Sequence, residues 1–202
     1  MNSLSDAPTW AQWLLLLPLG IVLLVAAVTD WRERKIYNWL TYPAALVALV
    51  LHVIVFGFSS AGVALLTGLA VVFVGLLILP LGWLGGGDIK LLAVIGFALG
   101  PAALYEIFFY AILAGFVMGM AISVFNGYLW DLLKRIGAFL KSLAMTVATR
   151  TNVSQKLETD ERAYLPFAIP ILIGALLATT DLYCQWPMIL DSTREIMASV
   201  VR

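Results

Sequence analysis

The sequence predicts an all-α, polytopic membrane protein whose six transmembrane helices form a single membrane-embedded domain over residues 1–202. Two observations indicate this fold class. The chain is 62% hydrophobic and only 12% charged, whereas soluble domains average about 45–50% apolar and about 25% charged residues. The apolar residues also fall into six runs, which polar or glycine-rich segments separate. Lipid, rather than a buried core, therefore accommodates most of the apolar surface.

Each run is a candidate for a membrane-spanning helix, which needs roughly 20 residues. The first run ends at the polar turn 30–38, the second at Ser59-Ser60, and the third at a glycine-rich turn, 82–87. Gly100-Pro101 stops the short fourth run, and the polar loop 126–163 follows the fifth. The predicted helices are 13–29, 39–58, 61–81, 88–99, 102–125 and 164–180.

The distribution of Lys and Arg predicts the orientation in the membrane. With six spans, ten basic residues lie on one side and two, Arg194 and Arg202, lie on the other. Because cytoplasmic loops carry the excess of basic residues, the turn 30–38, the glycine-rich turn and the loop 126–163 are predicted to be cytoplasmic. Both termini then lie outside.

The loop 126–163 contains an amphipathic segment. Apolar residues recur at helical spacing over 132–143, and the basic residues lie mainly on the other face. This pattern is typical of a helix in the plane of the lipid headgroups, and we interpret it as an anchor without a catalytic role.

Apart from carboxylates, the chain offers few side chains for catalysis. Cys184 is the only cysteine and His52 the only histidine. An internal disulfide and a cysteine-pair zinc site are therefore excluded. A single histidine and a single cysteine also give little support to a Ser-His-Asp triad, a Cys-His pair or a histidine-rich metal site. The formal net charge is zero, so no excess of charge indicates a nucleic-acid partner.

Asp88 follows Gly85, Gly86 and Gly87 and begins the fourth predicted helix. Three glycines permit unusual backbone angles and the close approach of another chain. An aspartate at this place can simply cap the helix. However, residues 89–99 span only about 16 Å as a helix, roughly half of the hydrocarbon thickness. One end of this helix is therefore recessed, and ionisable groups inside the membrane are usually functional.

Asp30 ends the first predicted helix on the same side as Asp88. Alone, it is an interfacial acid that could pair with Arg32 or Arg34. Together, two carboxylates that share a site hold one proton between them. The ionised member can then activate water while the protonated member donates to a scissile carbonyl, as in aspartic peptidases. The sequence leaves open which aspartate has which role.

Two further polar residues lie near these acids. Lys90 is two positions after Asp88, so a helix places it on a different face. It either extends to the lipid headgroups or contacts a substrate. Asn38 either orders the turn after Asp30 or caps the second helix.

Three segments resemble the type IV prepilin peptidases. Residues 85–91 (GGGDIKL) resemble the GxGD-x-K-L signature of that family, and residues 30–41 (DWRERKIYNWLT) resemble its first aspartate motif. Tyr37 stands where that motif usually has proline. Residues 165–170 (LPFAIP), followed by Gly174, resemble the pattern of its last helix. Without the cysteine-containing methyltransferase region, the chain is most similar to the short, peptidase-only branch that serves Flp or Tad pili.

The resemblance implies an intramembrane aspartic endopeptidase with Asp30 and Asp88 as catalytic residues and Gly85–Gly87 as the active-site loop. It implies a prepilin or pseudopilin substrate with a short basic leader. The leader would be removed at the cytoplasmic face of a bacterial inner membrane, after a residue that is typically glycine. No metal and no organic cofactor is implied, and the oligomeric state is left open.

Two alternatives from other functional classes remain at this point. An ion- or proton-coupled transporter could use Asp30 and Asp88 as ligands, because transporters also contain broken helices and membrane-embedded acids. It would favour acids near the midplane and repeated halves, and neither is evident in the sequence. A non-enzymatic membrane scaffold would keep its function when either aspartate is replaced by asparagine.

Overall fold

The computed structural model describes residues 8–81, 85–125 and 166–184. Every regular element among these residues is helical, and three of the helices are long and apolar enough to cross a membrane. The elements are α1 (Thr9–Glu33), α2 (Asn38–Ile78), a 3-10 turn (Leu79–Leu81), α3 (Gly86–Phe125) and the shorter α4 (Ala168–Cys184). The predicted all-α class is confirmed, and the length and apolar character of these three helices suit the predicted membrane location. The predicted interfacial helix at 132–143 lies outside the described residues.

α2 folds back on itself at Gly57. The backbone there has φ 79° and ψ 172°, a region that essentially only glycine adopts. In a straight helix Asn38 and Gly75 would lie about 55 Å apart. Instead, Asn38 accepts a hydrogen bond from Lys90, and Gly75 packs against the adjacent Ile89. The two antiparallel segments of α2 are 38–56 and 58–78.

α3 folds back in the same way at Gly100, where φ is 77° and ψ is −171°. Both halves of α3 lie near the residues that begin α4. Asp88, near the start of α3, interacts electrostatically with Asp30, and Asp30 accepts a hydrogen bond from the backbone N–H of Ala168. Gly115, about 40 Å from Asp88 in a straight helix, packs against Phe167, the residue before Ala168. The two segments of α3 are 86–99 and 101–125. Pro101 thus begins a helical segment, where its missing N–H breaks no bond.

The reversals change the predicted boundaries. The second predicted helix ends at Gly57 rather than at Ser59-Ser60, because the serines fit a helix whereas the reversal needs backbone angles open to glycine. α1 extends to Glu33, so Asp30 lies inside its last turn rather than after it. The turn is shortened to 34–37. At its start the N–H of Arg34, the C-cap of α1, donates to the Asp30 carbonyl at 3.0 Å.

α4 begins at Ala168, with Pro166 and Phe167 before it, whereas the sequence predicts a start at residue 164. Counted with both halves of α2 and α3, the described residues contain six helical segments. That all six cross the bilayer, and that both termini lie outside, stay predictions.

Small residues bring the segments close together. A methyl group added to Gly96 would lie 3.2–3.3 Å from the backbone of Gly68, and one added to Gly174 would meet the backbone of Ile107 and Ala111. Such close backbone approach drives helix association where lipid replaces water. The second half of α2 therefore packs on the first half of α3, and α4 packs on the second half of α3.

Candidate active site

Asp30 is one of the most deeply buried polar residues of the described chain, with 2% of its surface exposed. Its Oδ2 accepts a hydrogen bond from the backbone N–H of Ala168 at 3.2 Å. Because Ala168 is the first residue of α4, this N–H is one of those that a helix leaves unpaired. The positive end of the helix dipole also favours a carboxylate there. Asp30 is thus not an exposed interfacial acid.

Asp88 is the third residue of α3 and is partly buried. Its Oδ2 accepts the backbone N–H of Gly85 at 3.2 Å, while the Gly85 carbonyl accepts the N–H of Ile89. Gly85 is therefore the N-cap, and Asp88 forms the returning half of a capping box. The capping interpretation does not compete with a catalytic one, because a carboxylate has about four lone-pair sites.

The two carboxylates, far apart in the sequence, lie close enough for their charges to repel each other. Each also accepts an N–H from the start of a helix, α4 for Asp30 and α3 for Asp88. In general, two carboxyl groups that share a site can hold a single proton between them. The arrangement can therefore supply a base and an acid at one place.

The three glycines before Asp88 are not equivalent. Gly85 precedes α3, whereas Gly86 and Gly87 lie in its first turn. A methyl group on Gly87 would lie 2.8 Å from Cβ of Ile36, and one on Gly85 would lie 2.9 Å from Asp88 Oδ2. A methyl group on Gly86 would find its nearest neighbour only at 4.0 Å. Gly87 thus lets the turn after α1 pack against the start of α3.

Lys90 connects α3 to α2. Its Nζ donates to Oδ1 of Asn38 at 2.6 Å and lies 5.6 Å from the centre of the Tyr42 ring. Asn38 is the first residue of α2, and Tyr37 occupies the N-cap position without a side-chain capping bond. In the structure Asn38 therefore binds Lys90 rather than capping α2. The Lys90 ammonium binds within the protein, where the sequence suggested headgroups or substrate.

Tyr37, at the position of the family's usual proline, stabilises the turn through side-chain and backbone bonds. Its hydroxyl donates to the Glu33 carboxylate, and its carbonyl accepts the backbone N–H groups of Leu40 and Thr41. The hydrogen bond from the Tyr37 hydroxyl to Glu33 and the charge of Glu33 raise the pKa of Tyr37 above its ordinary value of 10.0. The hydroxyl thus remains protonated, and able to donate to Glu33, to a higher pH than an ordinary tyrosine.

Two contacts at this site involve residues that the sequence did not single out as functional. Ile36 packs against Gly87, and Ala168 binds Asp30 through its backbone. Nothing in the sequence marks either residue as functional. Ile36 is an ordinary apolar residue, and the backbone N–H of Ala168 is a group that every residue except proline has. The signals in the sequence that point to this place are Pro166 and Pro170, which are typical of the beginning of a helix, and the resemblance of residues 165–170 to the family's last helix.

Residues 17–120, just over half of the chain, match the type IV leader peptidase family. The match contains both aspartates, the three glycines, Asn38 and Lys90, and it ends before α4. No curated protein and no solved structure matches the chain. A peptidase family gives no support to the transporter alternative. The match and the motifs around Asp30 and Asp88 agree, and the chain therefore belongs to the type IV leader peptidase family.

Proposed function

We propose that the protein is an intramembrane aspartic endopeptidase that removes the short basic leader of a prepilin or pseudopilin. Family membership supplies the peptidase activity. The observation that carries the aspartic type is the interaction between the carboxylates of Asp30 and Asp88, which come from different helices and each accept a backbone N–H. The pair lies where the beginnings of α3 and α4 meet the end of α1.

The proposed reaction uses one proton held by the pair. The ionised carboxylate accepts a proton from water while the water oxygen attacks the scissile carbonyl carbon. The protonated carboxyl group donates to the carbonyl oxygen, which gives a tetrahedral intermediate. When this intermediate collapses, the C–N bond breaks and the departing amine takes the proton that came from water. The hydroxyl formed from the carbonyl oxygen returns its proton to the carboxylate that had donated it, and a carboxylic acid product forms. The pair is then ready for another cycle.

The cytoplasmic face of a bacterial inner membrane is the proposed location of the cleavage. All Lys and Arg within the described ranges, namely Arg32, Arg34, Lys35 and Lys90, lie within a few residues of Asp30 or Asp88. Basic residues accumulate on the cytoplasmic side of membrane proteins. A basic leader that remains in the cytoplasm would end at this face, and the motifs fit the short Flp or Tad branch of the family.

Co-expression with a prepilin-type substrate tests the proposal, with leader removal followed by the shift in substrate mass. We expect Asp30→Asn and Asp88→Asn each to lower cleavage on the order of 10³-fold or more, because each removes one partner of acid–base catalysis. Glu106→Gln is the matched control, since it removes a half-buried carboxylate of α3 outside the proposed pair. Membrane insertion is checked for every variant.

Normal cleavage by either asparagine variant that inserts would exclude the aspartate pair as the catalytic centre. It would return the scaffold alternative to consideration, because a scaffold tolerates both substitutions.

A further inference from the structure

The first turn of α4 forms a direct contact with Asp30 that the reaction proposed above does not require. Ala168 has 0% of its surface exposed and Asp30 has 2%, so the N–H···Oδ2 bond of 3.2 Å lies in the interior. A buried carboxylate must be satisfied by donors nearby. A donor on the backbone cannot rotate away as a side chain can, so the position of the Asp30 carboxylate depends on the position of α4.

α4 is in turn fixed against the second half of α3. A methyl group on Gly115 would lie 3.2 Å from the Phe167 ring and 3.6 Å from Pro170. One turn further along α4, a methyl group on Gly174 would lie 2.5 Å from the carbonyl oxygen of Ile107. These contacts leave α4 little freedom to move relative to α3, which also carries Asp88 at its other end.

The N–H groups of the first turn have different partners. Ile169 donates to the Pro166 carbonyl at 3.3 Å, and Ile171 donates to the Phe167 carbonyl at 3.2 Å. Pro170 has no N–H to donate. The Ala168 N–H is therefore directed across the bundle to α1, while Ile169 and Ile171 donate within the first turn of α4.

We infer that Ala168 is a positioning residue for catalysis, whose backbone N–H holds the Asp30 carboxylate in the geometry that the reaction with Asp88 requires. This inference rests on the proposed function. Preorganised donors of this kind act on the rate rather than on substrate affinity, and a misplacement of about 1 Å can lower a rate about 100-fold. α4 thus contributes to the chemistry without providing a reacting group.

Replacing single amide bonds by esters tests the inference, because an ester removes one N–H and leaves the side chain in place. The α-hydroxy analogue of alanine is introduced at position 168 by cell-free synthesis into liposomes. The matched control carries the α-hydroxy analogue of isoleucine at position 169, whose N–H bonds within the turn. We expect the ester at 168 to lower kcat about 10- to 100-fold with KM unchanged, and the ester at 169 to stay within about threefold of wild type.

Equal kcat values for the two esters would overturn the inference, as would an effect of the 168 ester on KM alone. A genetic version compares Ala168→Pro, which also removes the N–H and suits the first helical position, with Ala168→Gly, which keeps it. Asp30→Asn and Asp88→Asn are measured in parallel. If the two asparagine variants abolish cleavage while the 168 ester has the kcat of wild type, the inference fails and the proposed function stands. If they cleave normally, the proposed function itself fails.

Discussion

Asp30 and His52 are both buried ionisable residues, with 2% and 3% of their surfaces exposed, but they lie in two different regions. The carboxylate end of the bundle contains Asp30, Asp88 and the starts of α3 and α4. The reversal end contains Gly57, Gly100 and His52. From Asp88 to Ala98, the contact residue of His52, the chain runs about 15 Å along α3.

At the reversal end, both imidazole nitrogens are satisfied within the protein. Nδ1 donates to the Ala98 carbonyl at 2.8 Å, because a carbonyl oxygen cannot donate. Nε2 forms a hydrogen bond with the Ser60 hydroxyl at 3.2 Å. Ala98 lies just before the reversal of α3, and Ser60 just after that of α2. His52 therefore joins the two reversals.

The two regions show the difference between a buried polar group that builds the fold and one that is poised for reaction. His52 has complementary partners, so removing it leaves unmatched atoms. Asp30 and Asp88 are neighbouring carboxyl groups that repel each other when both are ionised, so their closeness opposes stability. A pair of this kind persists where the surrounding fold imposes it, which is common at functional sites.

The largest expected effect separates activity from stability. Asp88→Asn should lower cleavage on the order of 10³-fold or more, while the melting temperature in detergent stays the same or rises, because a neutral amide removes the cost of placing two carboxyl groups together. His52→Ala should lower the free energy of unfolding by about 1–3 kcal/mol, because the Ala98 carbonyl loses its donor, and should leave kcat nearly unchanged at low temperature.

His52→Asn is the matched control, since its side-chain amide can still donate to the Ala98 carbonyl and should recover part of the stability. If His52→Ala abolished cleavage without a loss of stability, the distinction between the two regions would not hold.

The second-largest effect is expected on stability, at the glycines where the helices reverse. Gly57→Ala should lower the free energy of unfolding by about 1–3 kcal/mol, because alanine is strained at a φ of 79°. A methyl group there would meet no atom within 4 Å, so the backbone angle alone causes the loss. Gly62→Ala also has open space but lies in a helix, and it should be neutral or stabilising. Equal melting temperatures would contradict this account of Gly57.

At the carboxylate end, glycine is required for space rather than for backbone angle. Gly87→Ala would place a methyl group 2.8 Å from Cβ of Ile36 and should lower kcat about tenfold by displacing Asp88. Gly86→Ala, with its nearest neighbour at 4.0 Å, should stay within about twofold. Adding Ile36→Gly to Gly87→Ala should restore part of the rate. If the effects of the two substitutions on kcat simply added, the contact between Gly87 and Ile36 would not be the cause of the loss.

The smallest effect is expected at Tyr37. Its φ of −80° and ψ of 138° are angles that proline also adopts, so Tyr37→Pro should keep cleavage within about twofold of wild type. Tyr37→Phe, which removes only the bond to Glu33, should behave alike, because exposed pairs contribute little. A large loss in Tyr37→Pro alone would mean that the turn needs the Tyr37 N–H.

Composition and motif spacing predicted the helical membrane class, the approximate helices and the family. The exact reversal points were harder to predict. Gly57 lies in an apolar run, where a single glycine is ordinarily tolerated within a helix, and the polar Ser59-Ser60 pair looked like the stronger break. A positive φ is decided by how the two segments pack, which their local composition does not specify.

The sequence by itself determined that the helices are apolar enough to face lipid and that carboxylates are the main side chains available for catalysis, because both follow from residue type. Only the tertiary structure decided that Lys90 binds Asn38, that Gly87 makes room for Ile36, and that the Ala168 N–H is directed at Asp30. These contacts join segments far apart in the sequence. A backbone donor looks the same at every residue until the packing of helices places one of them beside a buried charge.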